Sequence, residues 1–302
     1  MKRGGIMVRY WTYIRVSDDS EITFVVRLKN RSRFVLNDCY FTIYKELFKR
    51  HPDSDYFLVE LVGQYDERMA EEKIKRAIEL FMYITGVPYE VEGIRRNDCI
   101  AQDRINIECS SKKKERIEAI DVQYKRVRKK KDLLINVLKL YAMSLKFASI
   151  LGDVENAYFS DFRIIEKIVK DEFAIEKNSI NKGSEDIKSM LNQTIQGKYG
   201  LRMAENKLNE LSGNYTKQIF DEVFSDIYAK IAWYCTRKNI DYDEEILSSA
   251  VTIRNKLAHG DNVNIMFDCD EYKLISQLAY EFIHYKFFDN IQKCYLEARG
   301  IE

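Results

Sequence analysis

Apolar positions change their spacing part-way along the chain. Over the first ~110 residues they come in short runs. Residues 8–16 (VRYWTYIRV), 22–29 (ITFVVRLK) and 56–62 (YFLVELV) are rich in β-branched and aromatic side chains, which predicts strands. Residues 87–94 and 104–109 read as two further strands. Between them, residues 71–85 (EEKIKRAIELFMYIT) place Ile74, Ile78, Phe81 and Met82 at helical spacing, and Gly86-Val87-Pro88 ends the helix. A second helix is expected near residues 38–50.

From about Lys131 the spacing is helical almost throughout. Residues 133–151 form a strongly apolar helix that stops at Gly152, and residues 155–173 form the next. Residues 174–200 are rich in Asn, Lys, Ser and Gly, so they read as a polar insertion holding a short helix. Residues 214–237, 243–258 and 270–298 complete a bundle of four or five helices. The expected fold class is therefore α+β: a small N-terminal α+β domain (1–115), a basic connecting segment (116–130) and an all-α helical bundle (131–302).

Composition adds little to this division. A chain of 302 residues with 46% hydrophobic positions can fill two cores, and two prolines leave little room for long linkers. Six scattered cysteines form no C-x-x-C pair and no Cys/His cluster, so free thiols are expected, with no metal site and no cofactor. The start of the chain lacks an apolar core of signal-peptide length, and no window approaches 18 uncharged apolar residues. A soluble, cytoplasmic protein without a membrane partner is expected.

Charge matters by location. The total is +1, yet residues 112–131 hold ten Lys and Arg against three acids, a net +7. Such a run is either a solvated helix face or a phosphate-contacting track that gains energy from counterion release. In the second reading Lys125, Arg126, Arg128, Lys129, Lys130 and Lys131 would contact nucleic-acid phosphates.

The helix over 243–258 contains an anomaly. Ile246, Leu247, Ala250, Val251, Ile253, Leu257 and Ala258 fill one arc of the wheel, and Arg254 lies inside it. A guanidinium there must reach water along its stem, or face a carboxylate or a ligand. Glu166, at the edge of the apolar side of the helix over 155–173, is the candidate partner. Gly260 suits the left-handed position after the last turn, which puts His259 at the helix C-terminus. Were that turn to fray, the imidazole could swing back toward Arg254, a combination suited to phosphate chemistry. The plainer readings are a core ion pair and a capping histidine. His284, in EFIHYKFF, reads as a core histidine, and His51, beside Pro52, as a surface residue.

The string R-N-K-L-A-H, ending a late helix of an all-α bundle and preceded by the FRIIEKIV helix with its acid, resembles the HEPN superfamily (higher eukaryotes and prokaryotes nucleotide-binding). The likeness covers about residues 131–302 and is greatest to the Apea-like subgroup of anti-phage and stress-response proteins. It implies a homodimer in which two Arg–His sets line one cleft and cut RNA without metal, by 2′-hydroxyl attack on the adjacent phosphate. His259 would then be general base or acid, Arg254 would stabilise phosphate charge, Asn255 would position substrate or Arg254, and Glu166 would orient Arg254. A toxin subgroup of the family carries a modifiable Tyr two residues after the His. Asp261 stands there in this chain, so that regulation is not implied. The alternative is a HEPN-like RNA- or nucleotide-binding or dimerisation module without catalysis. In either case the N-terminal domain is expected to sense, select substrate, or bind a protein or nucleotide regulator.

Overall fold

The computed structural model describes residues 7–16, 33–43, 56–99, 112–198, 204–223 and 225–291. It is a mixed α+β protein with one antiparallel sheet near the N-terminus and helices over most of the rest. Its chain divides into two compact units, Met1–Ile164 with Asn264–Glu302, and Ile165–Val263.

In the first unit, strand β1 (Met7–Val16) is central to the sheet. One edge pairs with β4 (Tyr56–Gly63), and the other is shared by β6 (Arg95–Cys99) and β5 (Tyr89–Val91). Beyond β4 lie β3 (Cys39–Ile43) and β2 (Arg33–Leu36), giving the order β2-β3-β4-β1-β5. Successive side chains on a strand point to opposite faces, so β1 buries Tyr10, Thr12 and Ile14 and leaves Arg9, Trp11, Tyr13 and Arg15 half-exposed.

The expected helix near 38–50 is corrected at its start, where Cys39–Ile43 is a strand. Asn37 and Asp38 both have positive φ (48° and 66°), the backbone of a two-residue hairpin turn, and CYFTI favours the pleat over the helix. Residues 44–50, the expected strands at 22–29 and 104–109, and His51 lie outside the described residues.

Helix α1 (Glu67–Thr85) starts four residues before the expected position because Asp66 caps it, its side chain accepting from the Met69 N–H. It ends as expected at Gly86, in the left-handed conformation (φ 65°). Its Phe81 ring lies within 5.4 Å of those of Phe34, Phe41, Phe57 and Tyr89, all on the sheet face that also buries Tyr10 and Ile14. From Leu80 to Thr85 every residue is buried, so α1 has no outer face there. Tyr83 meets Tyr141 of α3 (Lys131–Lys146) at 5.8 Å and Tyr280 of α8 (Asp270–Phe287) at 5.1 Å. The buried His284 ring of α8 is 3.5 Å from the Tyr83 hydroxyl.

These contacts place α3 and α8 in the same compact unit as the sheet, whereas a boundary at 115–131 was expected. A π-helical turn, Phe147–Leu151, extends α3 to Gly152, also left-handed (φ 63°). The segment Lys131–Leu151 is long and apolar enough to cross a membrane, with mean hydropathy 1.5, although no such window was expected. In this fold α3 buries eight side chains, among them Leu134, Leu138 and Tyr141.

Helix α4 (Val154–Gln193) begins in the first unit and continues in the second. The polar stretch expected as an insertion extends this helix and is followed by a π-helical turn, Thr194–Lys198. Ser, Asn and Gly lower helix propensity, but the stretch has no proline to break the hydrogen-bond ladder. The helix expected over 214–237 is two, α5 (Glu205–Val223) and α6 (Ile227–Lys238), with Asp226 capping the second. Helix α7 (Glu244–His259) is capped by Asp243, whose carboxylate accepts from the Glu245 and Ile246 N–H groups at 2.9 Å.

Candidate functional site

Arg254, Asn255, His259 and Glu166 all belong to the second unit. Along α7, Leu247, Ala250 and Val251 are buried, Ile246, Ile253 and Leu257 are half-buried, and Ala258 is exposed. The apolar arc read from the sequence therefore thins toward the C-terminal turn, and Arg254 occupies its rim. Its guanidinium forms an ion pair with Glu166 of α4, and Nη1 donates to Asn255 Oδ1 at 3.0 Å. The Arg254 side chain retains 27% exposure and that of Glu166 14%. Lys170, one turn along α4, pairs with the other Glu166 oxygen at 3.3 Å. The sequence reading missed Lys170, although its spacing of four residues from Glu166 was a usable signal.

Together these groups form a Lys170–Glu166–Arg254–Asn255 cluster with one carboxylate between two cations. It fixes the guanidinium and leaves part of it facing solvent. The ion pair joins a half-exposed residue to a largely buried one, so removing one member costs less than in a dry core. Glu166→Ala is expected to destabilise by about 1–2 kcal/mol, and a Glu166→Leu/Arg254→Met double variant to lie within about 1 kcal/mol of wild type. Urea unfolding of both singles and the double measures the coupling, and additive losses would show that the pair does not interact.

His259 is the last residue of α7 and is exposed. Gly260 follows with φ 79°; its N–H donates to the Leu257 carbonyl at 3.1 Å, and the Asp261 N–H to that of Lys256 at 3.0 Å. That closure keeps the helix regular to its end, so the fraying considered from the sequence does not occur. Five residues of helix turn the His259 side chain about 140° from Arg254. Among the described residues the imidazole has no hydrogen bond or ion pair, and it is turned away from Arg254, one helical turn beyond Asn255. The chain thus positions Arg254, Asn255 and Glu166 together and directs His259 to a different face from Arg254.

The basic segment lies in the first unit. Residues 112–126 form helix α2 (Lys112–Arg126). Lys125 is engaged by Asp121 and Asp38, both at 2.8 Å, and those carboxylates, outweighing its desolvation, hold its ammonium above the ordinary lysine range. Lys131 donates to the Tyr124 carbonyl and lies over that residue's ring. Burial, then the charge of Arg76, pushes its ammonium down to about 8. Arg126, Arg128 and Lys129 are exposed and Lys130 half-exposed.

Lys131 makes stability depend on pH. Its folded value lies below the ordinary ~10.4, so between about pH 8 and 10 the unfolded chain holds a proton that the folded chain lacks. Stability contributed by this group therefore rises with pH across that window. From about pH 9 the Cys39 thiol, and above about pH 10 the Tyr124 phenol, both pushed up to about 12 chiefly by burial, act in the opposite sense. Urea midpoints at pH 8 and pH 9 should show a rise in wild type that is missing from Lys131→Met. An equal rise in both would assign it to another group.

Cys39 and Cys235 are buried and not in disulfides, and Cys269 caps α8 through Sγ, 3.4 Å from the Tyr272 nitrogen. Among the described residues no group of three or more His, Cys, Asp and Glu side chains is arranged to hold a metal ion. No family model, curated protein or solved structure matches the chain.

Proposed function

We propose that this protein is a metal-independent endoribonuclease of the HEPN kind, active as a homodimer in the cytoplasm, with a role in anti-phage defence or stress response. The observation that carries the reading is the fixed Glu166–Arg254–Asn255 cluster one turn before an exposed His259, within the string R-N-K-L-A-H.

The chemistry needs a base, an acid and a charge stabiliser. The RNA 2′-hydroxyl attacks the neighbouring phosphorus as a base takes its proton; the bond from phosphorus to the 5′ oxygen breaks, and an acid protonates that oxygen. The products are a 2′,3′-cyclic phosphate and a 5′-hydroxyl. The nucleophile is already in the substrate, so positioning and electrostatics supply most of the acceleration. Arg254 neutralises the non-bridging oxygens, and Asn255 holds Arg254 or the substrate. His259 serves as base or acid. Because Arg254 and His259 of one protomer diverge, a two-fold pairing that sets the His259 of one copy beside the Arg254 of the other satisfies both roles. Arg126, Arg128, Lys129 and Lys130 supply phosphate contacts.

The test is cleavage of a single-stranded RNA in excess EDTA, with the new ends identified. Products with cyclic phosphate and 5′-hydroxyl ends support the mechanism, and strict dependence on added Mg²⁺ overturns it. The second reading, a HEPN-like module that binds RNA or nucleotide without cutting, is favoured by the inward pairing of Arg254 with Glu166. In that case no cleavage appears under any condition, and neutralising Arg126, Arg128 and Lys129 flattens the salt dependence of binding.

A further inference from the structure

We propose that the cleft between α1 and α3 binds a small amphipathic anion, a free straight-chain carboxylate of about eight carbons. The cleft lies wholly in the first unit, and the proposal stands whether or not the ribonuclease reading does.

The cleft follows from the faces that the two helices turn toward each other. Helix α1 lines it with Lys75, Ile78, Glu79 and Met82, and α3 with Lys139, Ala142, Met143 and Lys146. Both sets are spaced i, i+3, i+4, i+7, the stripe that one face of a helix presents. Val91 of β5 adds to the wall. Ala142 is the smallest of these side chains, and a short one there leaves the helices incompletely filled, with a space of about 230 Å³. The floor, Ile78, Met82 and Ala142, is buried, while Val91 and Met143 retain 40% and 38% exposure, so the mouth opens to solvent.

Charge selects the sign of the occupant. Three ammonium groups border the cleft against one carboxylate. Lys75 pairs with Glu71 of its own helix at 3.5 Å. Among the described residues Lys139 and Lys146 form no ion pair or hydrogen bond. They stand at opposite ends of the α3 stripe, so an acid group at either end meets one of them. Glu79 is half-buried, and burial pushes its carboxyl above the ordinary range against the pull of Lys139, Lys146, Arg76 and Lys75. The lysine charge exceeds what Glu79 answers, and an anion offsets the remainder.

The walls set the body of the ligand. Apart from the charged groups they offer no side-chain donor and only weak thioether acceptors, so nothing there reads the edge of a base or a sugar. Seven residue steps of helix make the stripe roughly 10 Å long, so the space is about 5 Å wide. An alkyl chain fits that width, and a helix of roughly 10 Å diameter does not. A cavity of about 150 Å³ admits benzene, and at roughly 30 Å³ for a water-sized group this one holds about seven or eight methylenes.

The test is calorimetric titration of the full chain with n-alkyl carboxylates from hexanoate to dodecanoate. Affinity should rise roughly two- to fourfold per added methylene up to about eight carbons, then level off once the cleft is full. Ala142→Leu should abolish octanoate binding by filling the space. Should that variant fail to fold, Lys139→Met/Lys146→Met decides. It should weaken octanoate roughly 2- to 20-fold and flatten its salt dependence, with neutral octanol unaffected. Glu79→Gln should tighten octanoate roughly two- to fivefold, whereas it would weaken a cationic ligand. No binding of octanoate, equal affinity in Ala142→Leu and the parent, preference for octyltrimethylammonium, or a rise that continues to dodecanoate overturns the proposal. So does binding to phosphatidylglycerol vesicles with no response to free octanoate, which would make this face a membrane contact.

Discussion

His259→Ala is expected to slow RNA cleavage roughly 10²–10⁴-fold, the range for removing a positioned general acid or base. Arg254→Ala is expected to slow it roughly 10²–10³-fold, as when one charge-stabilising donor is lost from a reacting centre. Their structural consequences should differ. His259 is exposed and has no hydrogen bond or ion pair among the described residues, so its replacement should change stability by no more than about 0.5 kcal/mol. Arg254→Ala leaves Glu166 with Lys170 as partner and should cost more. Both proteins should keep the parent's oligomeric mass. Full cleavage by folded His259→Ala would remove the histidine from the reaction and require another group as base or acid. In a mixture of His259→Ala and Arg254→Ala chains, a composite site predicts partial recovery, since one cleft of each mixed dimer draws both intact residues.

The second large effect falls on the core. Phe81→Ala should destabilise the first unit by about 3–5 kcal/mol, the usual range for emptying a buried aromatic site. Phe81 is fully buried, and its ring touches four others contributed by β2, β3, β4 and β5. Little can move in to fill the gap, because each neighbour is held by its strand. Phe81→Leu restores most of the volume and should lose much less. The two tryptophans report separately: Trp11 is in the first unit and Trp233 in the second, so Trp11 emission should shift at lower urea. A cost below about 1 kcal/mol would mean that the sheet does not depend on this helix.

Local features were legible in the sequence. The β1 strand, the α1 stripe with its stop at Gly86, and the end of the apolar helix at Gly152 were all anticipated, and so was the cap of α7 at Gly260. Each depends on residues within a few positions of one another. The pairing of Arg254 with Glu166 was also foreseen, because a charge inside an apolar arc has to find an opposite charge, and the neighbouring helix offered one. Strand β6 was not foreseen, since RRNDC has no apolar pattern and is a strand only because β1 offers it an edge. The break between α5 and α6 depends on Asp226 capping a new helix, within a run whose overall composition stays helical.

The sequence by itself determined where α1 ends, the extent of the apolar helix up to Gly152 and of α7, and that Arg254 needs a partner. These follow from periodicity, capping and the cost of an unpaired charge, all short-range causes. Only the tertiary structure decided that α3 and α8 join the sheet in one unit, because that depends on α1 burying aromatic rings on every side. It also gave Lys125 and Lys131 partners within the fold, by bringing Asp38 to one and setting the Tyr124 carbonyl and ring against the other. It placed Arg254 and His259 on different faces of a regular helix, so a shared site needs a second copy of the chain. Charge and composition set what these side chains can do, and long-range packing sets which of them can meet.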